Sequence, residues 1–392
     1  MRITENEGKL TVYLEGRIDT NNAPQVEKDI FAAIGQDKEK PVTIDAEKLE
    51  YISSAGLRVL MKLRKNIGKP LPVINVTRDV YDIFETTGFT ELLDVKKAYR
   101  KVDVSGMKLM GQGQTGSVYR ADEETVIKVF NKGVSFDGII SAENNKARKA
   151  FISGVPTAIP YDIVKVGDCY GTVYEMLGAK DLVSVITEDR SHLEDYIKLF
   201  AKTVREMHGI KADPEKFLPS KAASLQALPM LALVLDAEEM RKVKEIYENI
   251  PERDTFVHGD CHIGNVMLKD GELMFIDLVA AGAGHPIFDM ISMYSLFVER
   301  ANNKAAIAQS PVLRNFTTDE INRIWDTFIR TYLDTDDEAL IKKAEYQICG
   351  FSAVRRLFAV IFMPGLLSPE TIQAMKKQIS EYYDNGLEPI CF

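Results

Sequence analysis

The stretch HGDCHIGNVM at residues 258–267, followed at residues 273–290 by LMFIDLVAAGAGHPIFDM, decides how this chain reads. A polar loop broken by Gly259 and Gly264 carries Asp260 and, five residues on, Asn265. A short apolar run then ends on Asp277. No Cys/His cluster with zinc spacing accompanies these residues. Any one of these acids alone reads as an ordinary loop carboxylate. Together, an Asp, an Asn five residues later and an Asp closing a hydrophobic strand form a layout for magnesium–nucleotide chemistry. Asp260 would accept the proton of an attacking hydroxyl. Asn265 and Asp277 would offer hard oxygen ligands to Mg²⁺, which keeps water and phosphate oxygens in its other positions. Phosphoryl transfer asks mostly for position and charge neutralisation, so few residues suffice.

Upstream, LMGQGQTGSVYRADEETVIKVF at residues 109–130 reads strand, turn, strand, turn, strand. Gly111, Gly113 and Gly116 make a G-x-G-x-x-G pattern, with Val118 close behind. A dinucleotide-binding reading needs a helix to open inside the motif. SVYRAD is β-like instead, so the glycines belong to a hairpin, either a plain one or one that lets backbone N–H groups approach phosphates. Lys128 stands inside the apolar run TVIKVF. Such a lysine faces solvent on the outer side of its strand, or is buried and needs an anionic partner. A partner is available 15 residues on, where Glu143 is the mid-helix acid of SFDGIISAENNKARKAFISG. A Lys–Glu pair beside a phosphate loop is what phosphoryl transfer requires, the Lys on the α/β-phosphates and the Glu on the Lys.

These residues, in this chain order, resemble the aminoglycoside phosphotransferase and choline kinase branch of the protein-kinase-like fold. H-G-D-C-H-I-G-N-V is similar to its H-G-D-x-H-x-x-N signature, and FIDLVAAGAGHPIFDM to its I-D-x-x-x-x-G-x-x-x-x-D segment. The resemblance covers roughly residues 105–390. It implies an α+β bilobal domain, a small β-rich lobe at about 105–177 and a large helical lobe at about 178–392. It further implies ATP and Mg²⁺ as cofactors, Asp260 as base, Asn265 and Asp277 on the metal, Lys128 on the phosphates and Glu143 on Lys128. Glu175, Met176 and Leu177 in YEMLGAKDL would be the hinge that meets the nucleotide base. Leu278 stands where the family often has Trp, and His285 where it often has Asp. His258 and His262 read as loop-ordering residues, His208 as a satisfied histidine at a helix end, and Cys261 as a small loop filler. Asp289 either bonds the backbone of the catalytic loop or is a first-turn helix acid.

The first hundred residues have a different rhythm. LTVYLEG alternates like a strand, and NNAPQVEKDIFAAIG places Val26, Ile30 and Ile34 at helical spacing behind Asn cap candidates. PVTIDAEKL and LPVINVT read as strands, SSAGLRVLMKLRKNIG as a helix with Leu57, Leu60 and Met61 on one face, RDVYDIFETTG as a short helix and LLDVKKAY as a last strand. This β-β-α-β-α-β-α-β order and the turn Y-I-S-S-A-G-L-R-V-L at residues 51–60 resemble a STAS domain, the α/β fold of bacterial anti-sigma factor antagonists. The family phosphorylates the Ser before Gly in a D-S-S-G turn. Here Ala55 occupies that position and Ser53 the place of the Asp, leaving Ser53 and Ser54 as the nearby hydroxyls. Ser54 also reads as a plain helix N-cap.

Composition sets the outer limits. The chain has 392 residues, is 45% hydrophobic and 27% charged, and carries a net charge of −9. That is an ordinary globular composition, too long for one domain and against a general nucleic-acid binder. Residues 1–104 are charge-balanced, so the acidity belongs to the remainder. No signal peptide or apolar span stands out, and the four cysteines lack a C-x-x-C pair. The expectation is a cytoplasmic, bacterial, two-domain phosphotransferase, with a STAS-like regulatory domain at 1–102 and a kinase-like domain at 105–392. Its acceptor would be a small-molecule hydroxyl (aminoglycoside, amino alcohol or sugar-like). A protein partner would dock on the STAS-like domain, and neither nucleic acid nor membrane would be a partner. The alternatives are a nucleotide-sensing regulator with little catalysis, or a protein kinase. The missing H-R-D and A-P-E-like segments argue against the latter.

Overall fold

Burial alternates along Lys9–Ile18, with Leu10, Val12, Leu14 and Ile18 inside, which is the period of a strand with one face on a core. The computed structural model describes residues 1–6, 8–35, 40–113, 115–301, 303–362 and 368–392. It divides into two compact units, Met1–Val102 and Asp103–Phe392.

The first unit is built on a sheet with strand order Arg2–Asn6, Lys9–Ile18, Val42–Ile52, Pro72–Val76 and Asp94–Lys97. The first pair is antiparallel and every later pair parallel. The parallel connections pass through the helices Ala23–Ile34, Ser54–Ile67 and Arg78–Thr86, as such crossovers must. Helix Ser54–Ile67 buries Leu57, Leu60, Leu63 and Ile67, while Met61 is only partly buried, so the stripe sits slightly off the expected one. It ends on Gly68 at φ +69°, where a left-handed cap costs glycine least. Ser53, not Ser54, caps this helix, its hydroxyl accepting from the Gly56 N–H; Ser54 is the exposed first helical residue. Asn22 precedes Ala23–Ile34 without capping it, because its side chain turns back to the Arg17 carbonyl and the Asp19 N–H.

The second unit begins with an antiparallel sheet. Its strands lie in the order Pro160–Val166, Cys169–Glu175, Thr125–Phe130, Gly116–Arg120 and Lys108–Gln112. Regular helix starts at Ser141 and runs to Ile152, after a wider turn at Phe136–Ile140, so Glu143 falls in the first turn rather than mid-helix. Beyond Glu175 the chain is mostly helical. Leu193–Met207 packs along Thr318–Leu333, and Glu338–Phe362 packs against Ile287–Tyr294 and Pro369–Asp384. Phe200, Phe256, Phe275, Phe297, Phe328 and Phe351 fill one continuous core. Residues 226–251 form separate elements rather than one helix. Pro229 brings on a 3₁₀ segment at Leu228–Leu233, and Asp236 opens a new helix with a capping box to Glu239. Among the described residues no helix is long and apolar enough to cross a membrane.

Candidate functional site

The glycine pattern is a hairpin, as its β-like flanks require, although Gln114 at its tip lies outside the described residues. Its three glycines differ in kind. A Cβ on Gly116 would sit 2.2 Å from the Val129 carbonyl oxygen, so this glycine allows close approach to the neighbouring strand. Around Gly111 nothing lies within 4 Å, and Gly113 meets only the Gly116 oxygen at 3.9 Å. Those two positions keep the open space that an approaching anion needs. Gly116→Ala is expected to destabilise this sheet by about 1–3 kcal/mol through overpacking. Gly111→Ala should cost far less, and comparing the unfolding of the two variants checks it.

Lys128 pairs across the sheet with Val118 on one side and Thr172 on the other. Its side chain is only 15% exposed, and Nζ lies 2.7 Å from Glu143 Oε1 and 3.3 Å from Asp277 Oδ1. The lysine is therefore mostly buried and paired rather than turned to solvent. Burial pushes the Glu143 carboxyl up, and Lys128 opposes that rise. Tyr174 completes the arrangement by donating from its hydroxyl to Glu143 Oε1 at 3.0 Å. Sequence spacing did not single out Tyr174; its one signal is its place just before Glu175, two residues past the cross-strand partner of Lys128. Lys146 lies further along the same helix and donates to the Val279 carbonyl at 2.7 Å, tying the helix to the turn after Asp277.

The loop lies between two short antiparallel pairings. Phe256–Val257 pairs with Gly282–Ala283, and Val266–Lys269 pairs with Glu272–Phe275. The second register sets Asn265 beside Ile276, whose N–H donates to the Asn265 carbonyl at 2.9 Å, so Asp277 emerges next to Asn265. Asp277 adopts φ +63°, a left-handed conformation that Asp tolerates better than most residues. Asn265 donates from Nδ2 to the Asp260 carbonyl at 2.9 Å and to Asp260 Oδ2 at 3.4 Å, which leaves its Oδ1 for a cation. His262 accepts from the Gly264 N–H, and its Nε2 lies 3.7 Å from Asp260 Oδ2.

Asp289 is fully buried and takes the loop backbone from below. It accepts from the N–H groups of His258 at 2.8 Å and Gly259 at 2.6 Å, and meets His208 Nε2 at 2.9 Å. Burial works against its charge, but His208, His258 and the loop N–H hold its carboxyl below the usual range. His208 in turn meets the Tyr332 hydroxyl at 2.8 Å. Both readings of Asp289 thus hold, since it also sits in the first turn of Ile287–Tyr294. Burial raises the Cys261 thiol, with Asp289 and Asp260 adding to the rise, so this cysteine is an inert filler. Arg355, on the distant helix Glu338–Phe362, reaches Asp260 Oδ1 at 3.4 Å. No local motif announced it.

His285 supplies a pH test. Burial, with Arg253 and His208 adding to it, drives its imidazole down to about 3. The unfolded chain takes up the proton near the ordinary histidine value and the fold does not. The stabilising contribution is therefore present above about pH 6.5 and is lost as pH falls towards 3. Between pH 7 and 5 the loss approaches about 2 kcal/mol. His285→Gln should shrink that decline. Urea unfolding followed by the fluorescence of the single tryptophan, Trp325, reads it, and an unchanged decline would refute the attribution.

Among the described residues no group of three or more His, Cys, Asp or Glu is placed to hold a metal. A cation here would rest on one carboxylate and one amide oxygen, with its other positions left to phosphate and water. That donor set suits Mg²⁺ and not zinc.

A mixed STAS-type α/β sheet and a kinase-type pairing of β-sheet and helical lobe define the class: a STAS domain followed by a protein-kinase-like phosphotransferase domain. Residues 107–314 match the phosphotransferase enzyme family and residues 1–104 the STAS domain; the chain belongs to that phosphotransferase family and carries a STAS domain at its N-terminus. The first domain is 33% identical over 92 residues to BtrV of Bordetella bronchiseptica, named for an anti-sigma factor antagonist, covering 23% of this chain and 78% of that protein. Among solved structures the chain is similar to a choline/ethanolamine kinase family protein from Mesorhizobium loti, at 14% identity and a TM-score of 0.42, over 73% of this chain and 91% of that one. It is likewise similar to the aminoglycoside phosphotransferase APH(3'')-Id of Streptomyces rimosus, at 16% identity and a TM-score of 0.35, over 71% and 93%. At such values the assignment rests on the family matches.

Proposed function

We propose that the second domain transfers the γ-phosphate of ATP, with Mg²⁺, to a hydroxyl of a small molecule, and that residues 1–102 form a separately folded regulatory domain that docks a protein partner. The observation that carries this reading is the convergence of Lys128, Glu143 and Asp277 in one ion-paired chain, with Asp260 and Asn265 hydrogen-bonded on the adjoining loop. Lys128 holds the α/β-phosphates, and Glu143 keeps the ammonium aimed. Gly111, Gly113 and Gly116 shape the hairpin over the phosphates, and Val118 lies on the strand behind it. The backbone at Glu175, Met176 and Leu177 meets the base. Asp260 orients the acceptor hydroxyl and takes its proton. Asn265 and Asp277 would hold the metal, which when bound neutralises charge on the phosphate oxygens. Such a site does its work by placement and electrostatics more than by covalent chemistry.

The test is an acceptor screen on the full chain in a cytoplasm-like buffer. It uses ATP or GTP with Mg²⁺ against aminoglycosides, amino alcohols, sugars and nucleosides, and follows nucleoside diphosphate release and acceptor mass. Stoichiometric phosphorylation of one acceptor class supports the proposal. Nucleotide binding with no acceptor-stimulated turnover across the screen would favour a nucleotide-sensing regulator instead.

A further inference from the structure

Arg355 lies outside residues 107–314, the part matched by the phosphotransferase family. It stands 95 residues from Asp260 in sequence, yet its guanidinium is spread over the catalytic loop. Nη1 donates to Ser292 Oγ. Nη2 donates to the Gly259 carbonyl at 3.3 Å and to Asp260 Oδ1 at 3.4 Å. Ser292 Oγ also reaches the Gly259 carbonyl, at 3.5 Å.

Gly259 is the point where this loop turns. Its φ is +78°, and a Cβ there would sit 2.3 Å from the Ala280 carbonyl oxygen. Asp289 takes its N–H from one side, while Arg355 and Ser292 take its carbonyl from the other. The residue before Asp260 is thus fixed at both of its peptide groups, and the same guanidinium then holds the Asp260 side chain. Oδ1 goes to Arg355, and Oδ2 faces Asn265 and His262.

A stabilising salt bridge does not account for this. The Arg355 and Asp260 side chains are 39% and 47% exposed, and ion pairs so open to water contribute little to folding. What the contact supplies is direction. A planar guanidinium presents several N–H donors in fixed geometry, which suits one group that must meet a hydroxyl, a carbonyl and a carboxylate together.

We propose that Arg355 is the positioning residue of the catalytic carboxylate, using the Ser292 hydroxyl as its anchor to set the Gly259 peptide and the side-chain orientation of Asp260. The proposal rests on the reading of Asp260 as the base. It gives helix Glu338–Phe362 a part in the chemistry through that one contact.

The experiment uses the full chain with Arg355→Met, Arg355→Lys and Ser292→Ala, and ATP hydrolysis with Mg²⁺ and water as acceptor. Arg355→Met should lower kcat by about 10- to 100-fold, the scale of a slightly misplaced catalytic group, with KM for ATP moving less than about threefold. Arg355→Lys should restore only a small part of the loss, because one ammonium cannot make all three contacts. Ser292→Ala, which leaves the charge in place, should shift kcat the same way by less. Hydrogen exchange is the second readout. In Arg355→Met the amides of residues 259–261 should exchange about tenfold faster or more, with helix Leu193–Met207 unchanged. Unchanged loop exchange, or full recovery of kcat by lysine, overturns the proposal. A wild-type chain that binds ATP without hydrolysing it would count against the phosphotransferase reading, while the exchange comparison still decides whether Arg355 fixes the loop.

Discussion

Asp260→Ala is expected to lower turnover by about 10²–10⁴-fold, the usual range for a positioned proton acceptor. Affinity for Mg²⁺–ATP should change only a few-fold. The separation follows from the geometry. Asp260 is about half exposed on its loop, held by Asn265 and Arg355, and makes no contact with Lys128. Lys128→Ala should show the opposite pattern. It removes the cation between Glu143 and Asp277, leaves a buried carboxylate at Glu143 without its cationic partner, and weakens nucleotide binding or its alignment. Calorimetry with Mg²⁺–ATP on both variants, beside steady-state rates, distinguishes the two. Equal loss of nucleotide binding in both would end the division of roles.

Asp277→Asn is the second large effect. Asparagine matches the carboxylate in shape and tolerates the left-handed φ of +63°, so the metal-free fold should melt at nearly the wild-type temperature. The substitution removes the one carboxylate of the cation set and the second anionic partner of Lys128. Turnover should fall by about 10²-fold or more, the size of loss seen when one preorganised electrostatic partner is removed. The Mg²⁺ concentration for half-maximal activity should also rise. Wild-type turnover at low Mg²⁺ in this variant would show that Asp277 is no metal ligand.

Much of this layout was legible because its signals are local. The hairpin Val266–Lys269/Glu272–Phe275 joins two short apolar runs across the tight turn at Asp270 and Gly271. Its register alone sets Asn265 beside Ile276, and so Asp277 beside Asn265. The apolar run around Lys128 and the helical stretch that follows it placed a lysine on one element and an acid on the next. Where local reading slipped, a local competitor was at work. Ser53 took the cap from Ser54, and Asn22 preferred the loop behind it.

By itself the sequence determined a glycine hairpin, a lysine within reach of a candidate acid and a loop carrying Asp260, Asn265 and Asp277, because each is written in spacings of a few residues that backbone geometry turns directly into structure. Tertiary packing alone decided which distant groups hold those residues. Tyr174 reaches Glu143 across 31 residues, His208 reaches Asp289 across 81, and Arg355 reaches Asp260 across 95. An arginine on a helix or a tyrosine on a strand has the same linear pattern whether it faces water or a catalytic loop. Only the docking of one element on another, driven by burial of apolar faces, sets where such a side chain ends.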